Sequence, residues 1–213
     1  DTSDGSGGDV LVTSGFGTVG SSGMGYISTA NGGVRTSPAT PADSEDGGVS
    51  GAKRKTLKPS EGAAALVTGA GSGIGRSFAY EIVRRGGSVI CADIDRQRAE
   101  QTASILSELG EGRAVAYRCD VGSEKQMATL ADKAESLLGR PMTLVVNNAG
   151  VGVGGRIGEV PLGDWRWCLK VNLWGVIHGC HFFAPKLRAL GYGGIVNVAS
   201  AAGFGAAPEM SAY

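Results

Sequence analysis

Hydrophobic positions are unevenly spread along the chain. Up to about residue 60 they occur singly or in short Gly-flanked runs, Val10-Leu11-Val12 and Met24-Gly25-Tyr26-Ile27. Gly, Ser, Thr and Asp fill the remainder, and hydrophobic periodicity is weak. Such a stretch buries too little apolar area to offset chain entropy. Residues 1–60 are therefore expected to be a disordered or linker segment. The character changes at Ala63-Ala64-Ala65-Leu66-Val67, a continuous apolar run that suits a strand buried on both faces. A Gly-rich turn follows. Next comes a helix over 74–85 whose apolar face carries Phe78, Ala79, Ile82 and Val83, stopped by Gly86-Gly87.

The alternation then repeats. A strand over 88–93 leads to a helix over 97–109 that Gly110 ends. A strand over 114–118 leads to a helix over 124–138. A strand over 143–147 leads, through a Gly-rich loop, to a long helix over 162–190, which Pro185 would kink or shorten. A strand over 194–199 comes last. Strands and helices in strict alternation imply parallel strands joined by right-handed crossovers. The expected fold is an α/β, Rossmann-like doubly wound parallel sheet of order 3-2-1-4-5, occupying 61–213.

Composition narrows the function. The chain has 213 residues, with 20 Lys+Arg against 20 Asp+Glu. A net charge of zero gives no reason to expect nucleic acid or an anionic membrane as partner. The one basic cluster, Lys53-Arg54-Lys55 with Lys58, has no interleaved aromatic and reads as a solvated linker. No apolar run is long enough to cross a membrane. The first residues, Asp1-Thr2-Ser3-Asp4, do not resemble a signal peptide. Cys91, Cys119, Cys168 and Cys180 form no CxxC pair and sit among apolar neighbours, as reduced, buried thiols of a cytoplasmic protein do. The chain lacks an initial Met and stops at Ser211-Ala212-Tyr213, so it is expected to be part of a longer product.

The turn Thr68-Gly69-Ala70-Gly71-Ser72-Gly73-Ile74-Gly75 is the main chemical signal. A Gly-rich turn alone says little. This one follows a buried strand, opens an amphipathic helix and has an acid, Asp93, at the end of the next strand. Glycines let backbone approach a pyrophosphate closely, and the helix start offers free N–H groups and a positive dipole end. Asp93 is placed to hydrogen-bond ribose hydroxyls and to repel a 2′-phosphate. Ser72 puts no positive charge in the turn. Both features favour NAD over NADP, although Arg96 is a nearby positive charge.

The spacing Thr-Gly-x-x-x-Gly-x-Gly resembles the turn of the short-chain dehydrogenase/reductase family. Other segments agree in order. Asn147-Asn148-Ala149-Gly150 resembles that family's Asn-Asn-Ala-Gly segment. Cys119-Asp120-Val121 is similar to its adenine-side segment, and Val171-Asn172-Leu173 to the one bearing its catalytic Asn. Ser200 and Tyr213 stand thirteen residues apart, the family's interval between catalytic Ser and Tyr. The resemblance runs from Ala63 to Tyr213 and implies that Gly69, Gly71, Ser72, Gly73, Ile74, Gly75, Asp93, Asp120, Val121, Asn148, Ala149 and Gly150 bind the cofactor. It implies that Asn172, Ser200 and Tyr213 are catalytic, that the substrate is a small alcohol or ketone, and that the intact protein is a homo-oligomer.

Those residue types suit proton-coupled hydride transfer. A phenol with a pKa of ~10 in water needs a cation beside it to act as a base near neutrality. Ser200 could hold the substrate oxygen, and Asn172 could position a water in a proton relay. The family supplies the cation as Lys in Tyr-x-x-x-Lys. The sequence stops at the Tyr, so the chain alone is expected to be inactive. A 3-oxoacyl-carrier-protein-type ketoreductase and a non-catalytic dinucleotide-binding module are the alternatives. His178 and His181 share a helix face but have no third ligand for a metal. Trp165, Trp167 and Trp174 read as core or subunit-contact aromatics. The small apolar stretch Ala201–Ala207 hints at an apolar substrate.

Overall fold

The computed structural model describes strands at 10–18 and 21–29, and residues 61–109, 112–205 and 208–213. Strands β1 (Val10–Thr18) and β2 (Ser21–Thr29) come first. Then follow β3 (Ala64–Thr68), α1 (Gly73–Arg84), β4 (Ser88–Asp93), α2 (Arg96–Ser107), β5 (Ala114–Arg118), α3 (Glu124–Leu138) and β6 (Leu144–Asn147). The chain continues through α4 (Leu162–Leu169), a π-helical segment (Lys170–Trp174), α5 (Gly175–Leu190), β7 (Gly194–Asn197) and a 3-10 turn (Ala201–Gly203).

Five parallel strands lie in the order β5-β4-β3-β6-β7, with helices on both faces. This is the expected 3-2-1-4-5 arrangement. The apolar run of β3 divides its side chains between two cores, because successive residues point to opposite faces. Ala64 and Leu66 pack with Ile90, Met127, Leu130, Phe183 and Ile195, on the side of α3 and α5. Ala65 and Val67 pack with Ala79, Ile82, Val83, Val89 and Leu106, on the side of α1 and α2. The helix stops follow local chemistry: Gly139 and Gly191 take the left-handed conformation after α3 and α5.

Three expectations change. First, two strands lie within the stretch expected to be unstructured. β1 pairs antiparallel with β2 and parallel with β7, at the far edge of the sheet. Pairing along a sheet edge uses backbone groups and needs no side-chain period. The rest of 1–60, including the basic cluster, lies outside the described residues, as do Gly110, Ala206 and Ala207. Second, the helix expected over 162–190 is interrupted by the π segment, while α5 runs through Pro185 without ending there. Third, β7 ends at Asn197, two residues early. Among the described residues, no helix is long and apolar enough to cross a membrane. The four cysteines are free, and Cys91, Cys119 and Cys168 are buried.

Candidate active site

Thr68, buried at the end of β3, fastens the Gly turn to the chain after β6. Its Oγ1 accepts from the N–H groups of Asn148 (2.9 Å) and Ala149 (3.0 Å) and donates to the Val146 carbonyl at 3.3 Å. Its carbonyl accepts from Asn148 Nδ2 at 2.9 Å. The turn then folds against this segment so closely that a Cβ on Gly75 would overlap the Gly69 carbonyl and come within 2.6 Å of Asn148 Nδ2.

Gly73 is different. It has φ +51, which favours glycine, yet a Cβ there would meet nothing within 4 Å. The glycine therefore faces open space at the start of α1. Ser72 makes no side-chain cap bond, and no acid stands in the first turn of α1. By contrast, Asp95 caps α2 by accepting from Gln97 N (3.0 Å) and Arg98 N (3.2 Å). A helix start leaves N–H donors without intrahelical partners and carries a positive dipole end. At α1 those donors meet no side-chain cap. Arg76 braces the turn from behind, donating to the Gly71 carbonyl at 2.5 Å and to Thr102 Oγ1 at 3.0 Å.

A cleft of about 390 Å³ opens at this point. Gly69, Ser72, Gly73, Ile74, Gly75, Asp93, Asp120, Val121, Asn148, Ala149 and Gly150 all line it, so the structure gathers every expected cofactor residue there except Gly71. Gly71 lies behind the wall and donates its N–H to Asp93 Oδ2 at 2.8 Å; Asp93 Oδ1 accepts from Asp95 N at 2.9 Å. The Asp93 carboxylate is thus fixed by two neutral donors at the cleft edge. Arg98, which the sequence reading did not single out, also lines the cleft and pairs with Asp95 at 3.3 Å. Arg96, the cation it did single out, bonds Glu100 at 2.7 Å.

The three expected catalytic residues lie outside this lining. Asn172 sits in the π segment, a departure from regular helix that often marks a functional site. Its amide is engaged: Oδ1 accepts from Val151 N and Nδ2 donates to the Val151 carbonyl, both at 2.8 Å. The amide pins the loop after β6. Ser200 caps the 3-10 turn by accepting from Ala202 N at 3.1 Å, and its hydroxyl proton is still available to donate. Tyr213 is 45% exposed. Its segment is fastened to the loop after β6, where Gly155 pairs with Met210 and Ser211 Oγ donates to the Gly155 carbonyl at 2.9 Å. Ala212 completes a small apolar cluster with Val153, Val160 and Cys168. One loop, 151–160, therefore carries both the Asn172 clamp and the seat of Tyr213.

The environment of each cysteine favours the protonated thiol. Burial pushes the Cys91 thiol up to about 12; burial and the Asp120 charge do the same for Cys119. Burial also raises Cys168 and Cys180. His178, buried in α5, places Nδ1 2.8 Å from the Val121 carbonyl and stacks between Trp174 and Phe182.

The family model for short chain dehydrogenases matches residues 63–213. The chain belongs to the short-chain dehydrogenase family. Its match includes the Gly turn, the Asn-Asn-Ala-Gly segment, Ser200 and Tyr213. The chain is 40% identical over 148 residues to the probable oxidoreductase EphD of Mycobacterium tuberculosis, covering 69% of this chain and 25% of that protein. It is 35% identical over 153 residues to 7alpha-hydroxysteroid dehydrogenase of Escherichia coli, covering 72% and 59%. A short-chain dehydrogenase/reductase from Burkholderia phymatum, solved in complex with NAD, superposes with a TM-score of 0.70 at 38% identity, covering 73% of this chain and 55% of that one. The chain thus spans a quarter of the first relative and 59% of the second.

Proposed function

We propose that this chain builds the cofactor half of a nicotinamide-dependent dehydrogenase acting on an alcohol or carbonyl substrate, with NAD preferred. The uncapped start of α1 beside an open-faced Gly73 carries the reading. The arrangement fits a pyrophosphate, because unpaired N–H groups and a dipole end meet a surface with no Cβ in the way. A nicotinamide dinucleotide bound there would supply the hydride acceptor or donor. The chain's own residues bind and orient it. The first turn of α1 would hold the phosphates, and Asp93 would accept from ribose hydroxyls while its charge disfavours a 2′-phosphate. Asn148, Ala149 and Gly150 form the opposite wall, locked to Thr68.

Ser200 would donate its hydroxyl proton to a substrate oxygen, and the Tyr213 phenol would exchange a proton with that oxygen. Asn172 would set the course of the loop after β6 and position a water in a proton relay. The Escherichia coli relative is a hydroxysteroid dehydrogenase, which is consistent with an alcohol substrate. Exposed apolar residues along α4, the π segment and α5, among them Trp167, Leu173, Trp174 and Ile177, would suit contact with a second copy in a homo-oligomer. Equilibrium titration with NADH and NADPH, followed by the fluorescence of the reduced nicotinamide, tests the reading. Saturable binding with NADH tighter is expected. NADPH binding the tighter would overturn the NAD preference.

A further inference from the structure

The cleft that would take an anionic dinucleotide is lined by two carboxylates, Asp93 and Asp120, and by one cation, Arg98, which is already paired with Asp95. Like charges in a partly enclosed cleft raise the free energy of an incoming anion. Asp93 is held only by neutral N–H donors. Asp120 is held differently. Its Oδ1 accepts from Gly122 N at 2.9 Å, and its Oδ2 meets Lys170 Nζ at 2.7 Å. The carboxylate is mostly buried and the ammonium half-exposed, with side-chain exposures of 22% and 49%. The contact is built into the backbone: a Cβ on Gly122 would lie 2.5 Å from Lys170 Cγ and 2.7 Å from Cε. Gly122 leaves the passage through which the lysine stem reaches Asp120. Lys170 also opens the π segment, so the ion pair ties the β5–α3 connection to the helix turn that presents Val171 to the cleft and Asn172 to the loop after β6.

We propose that Lys170 is a positioning residue of the cofactor cleft, fixing the Asp120 carboxylate and cancelling its charge so that a dinucleotide anion can enter. The inference rests on the dinucleotide reading of the cleft. It predicts an effect that is electrostatic, transmitted through Asp120, and separable from folding. Removing the ammonium leaves the cleft with one more uncompensated negative charge. Removing the carboxylate as well restores the balance.

The test is NADH titration of the wild-type chain, Lys170→Met, Lys170→Arg, Asp120→Asn, and Lys170→Met combined with Asp120→Asn, each checked for thermal unfolding. At low ionic strength Lys170→Met is expected to bind NADH about three- to tenfold more weakly. The deficit should shrink to less than about twofold at high salt, where the Debye length falls to ~3 Å. Lys170→Arg should stay within about twofold of wild type, and the double variant within about twofold of Asp120→Asn alone. Wild-type affinity in folded Lys170→Met at low salt would overturn the proposal. So would a deficit from Lys170→Met that ignores salt and is as large in the Asp120→Asn background, which would assign Lys170 to packing alone. If the folded wild-type chain fails to bind NADH at all, the cofactor reading itself falls, and that outcome is distinct from the other two.

Discussion

Gly73→Ala separates a glycine kept for the fold from one kept for a ligand. At φ +51 an alanine is strained, by roughly 1–2 kcal/mol for an L-residue in the left-handed region. Nothing lies within 4 Å of the added methyl, so no packing clash is added to that strain. The smaller conformational freedom of an unfolded alanine offsets about 0.4–1 kcal/mol. The net loss should be about 1 kcal/mol, a fall in Tm of ~2–4 °C for a domain of this size. The methyl would nevertheless stand where the phosphates approach the first turn of α1. NADH affinity should fall at least about tenfold, or ~1.4 kcal/mol. Gly75→Ala is the control. Its methyl would overlap the Gly69 carbonyl, so backbone must move and the stability loss should reach about 3 kcal/mol. Urea unfolding and NADH titration of both variants give the four numbers needed. A Gly73→Ala chain with wild-type NADH affinity would refute the placement of the ligand at this turn. One as destabilised as Gly75→Ala would refute the geometry of the turn.

Thr68→Val keeps the volume but removes the acceptor for Asn148 N and Ala149 N; these N–H groups are part-buried, so leaving them unpaired should cost about 1 kcal/mol each and denaturant unfolding should show a loss of ~2 kcal/mol. Asp93→Asn should erode the preference for NADH over NADPH by about tenfold in paired titrations, because the charge opposing a 2′-phosphate is gone while an oxygen acceptor is kept. The Cys91 thiol titrates near 9.0 when unfolded and at about 12 when folded. The unfolded chain then loses its proton first, so this stabilising contribution is complete below pH 9 and is lost as pH rises from 9 to 12. Cys91→Ala should unfold with a shallower loss of stability over that window, measured by urea midpoints at successive pH values.

The sheet was legible because burial on both faces writes a continuous apolar strand, and amphipathic helices write a 3.6-residue period between them. The residues that line the cleft were legible because they sit at strand ends and in a Gly turn, where backbone geometry restricts residue type. What the sequence hides is mostly tertiary. The π segment at Lys170–Trp174 reads as ordinary helix, and the Asn172 amide at its centre is engaged by Val151, twenty-one residues earlier. The choice between Arg96 and Arg98 turns on helix phase: one pairs with Glu100 along α2 while the other turns to the cleft. Lys170 gives no local sign of its contact with Asp120, fifty residues away. β1 and β2 escaped because Gly-rich edge pairing leaves no hydrophobic pattern to read. Pro185 was expected to disturb its helix, and α5 continues through it.

Binding of a nicotinamide dinucleotide in the cleft at the start of α1 is open to direct measurement. Titration calorimetry of the folded chain with NADH at low salt tests it most directly, with ADP-ribose as competitor. One saturable site per chain is expected, with a Kd of about 1 μM to 1 mM, the span of ordinary KM values, and displacement by ADP-ribose. No saturable heat from a chain whose circular dichroism shows it folded would contradict it.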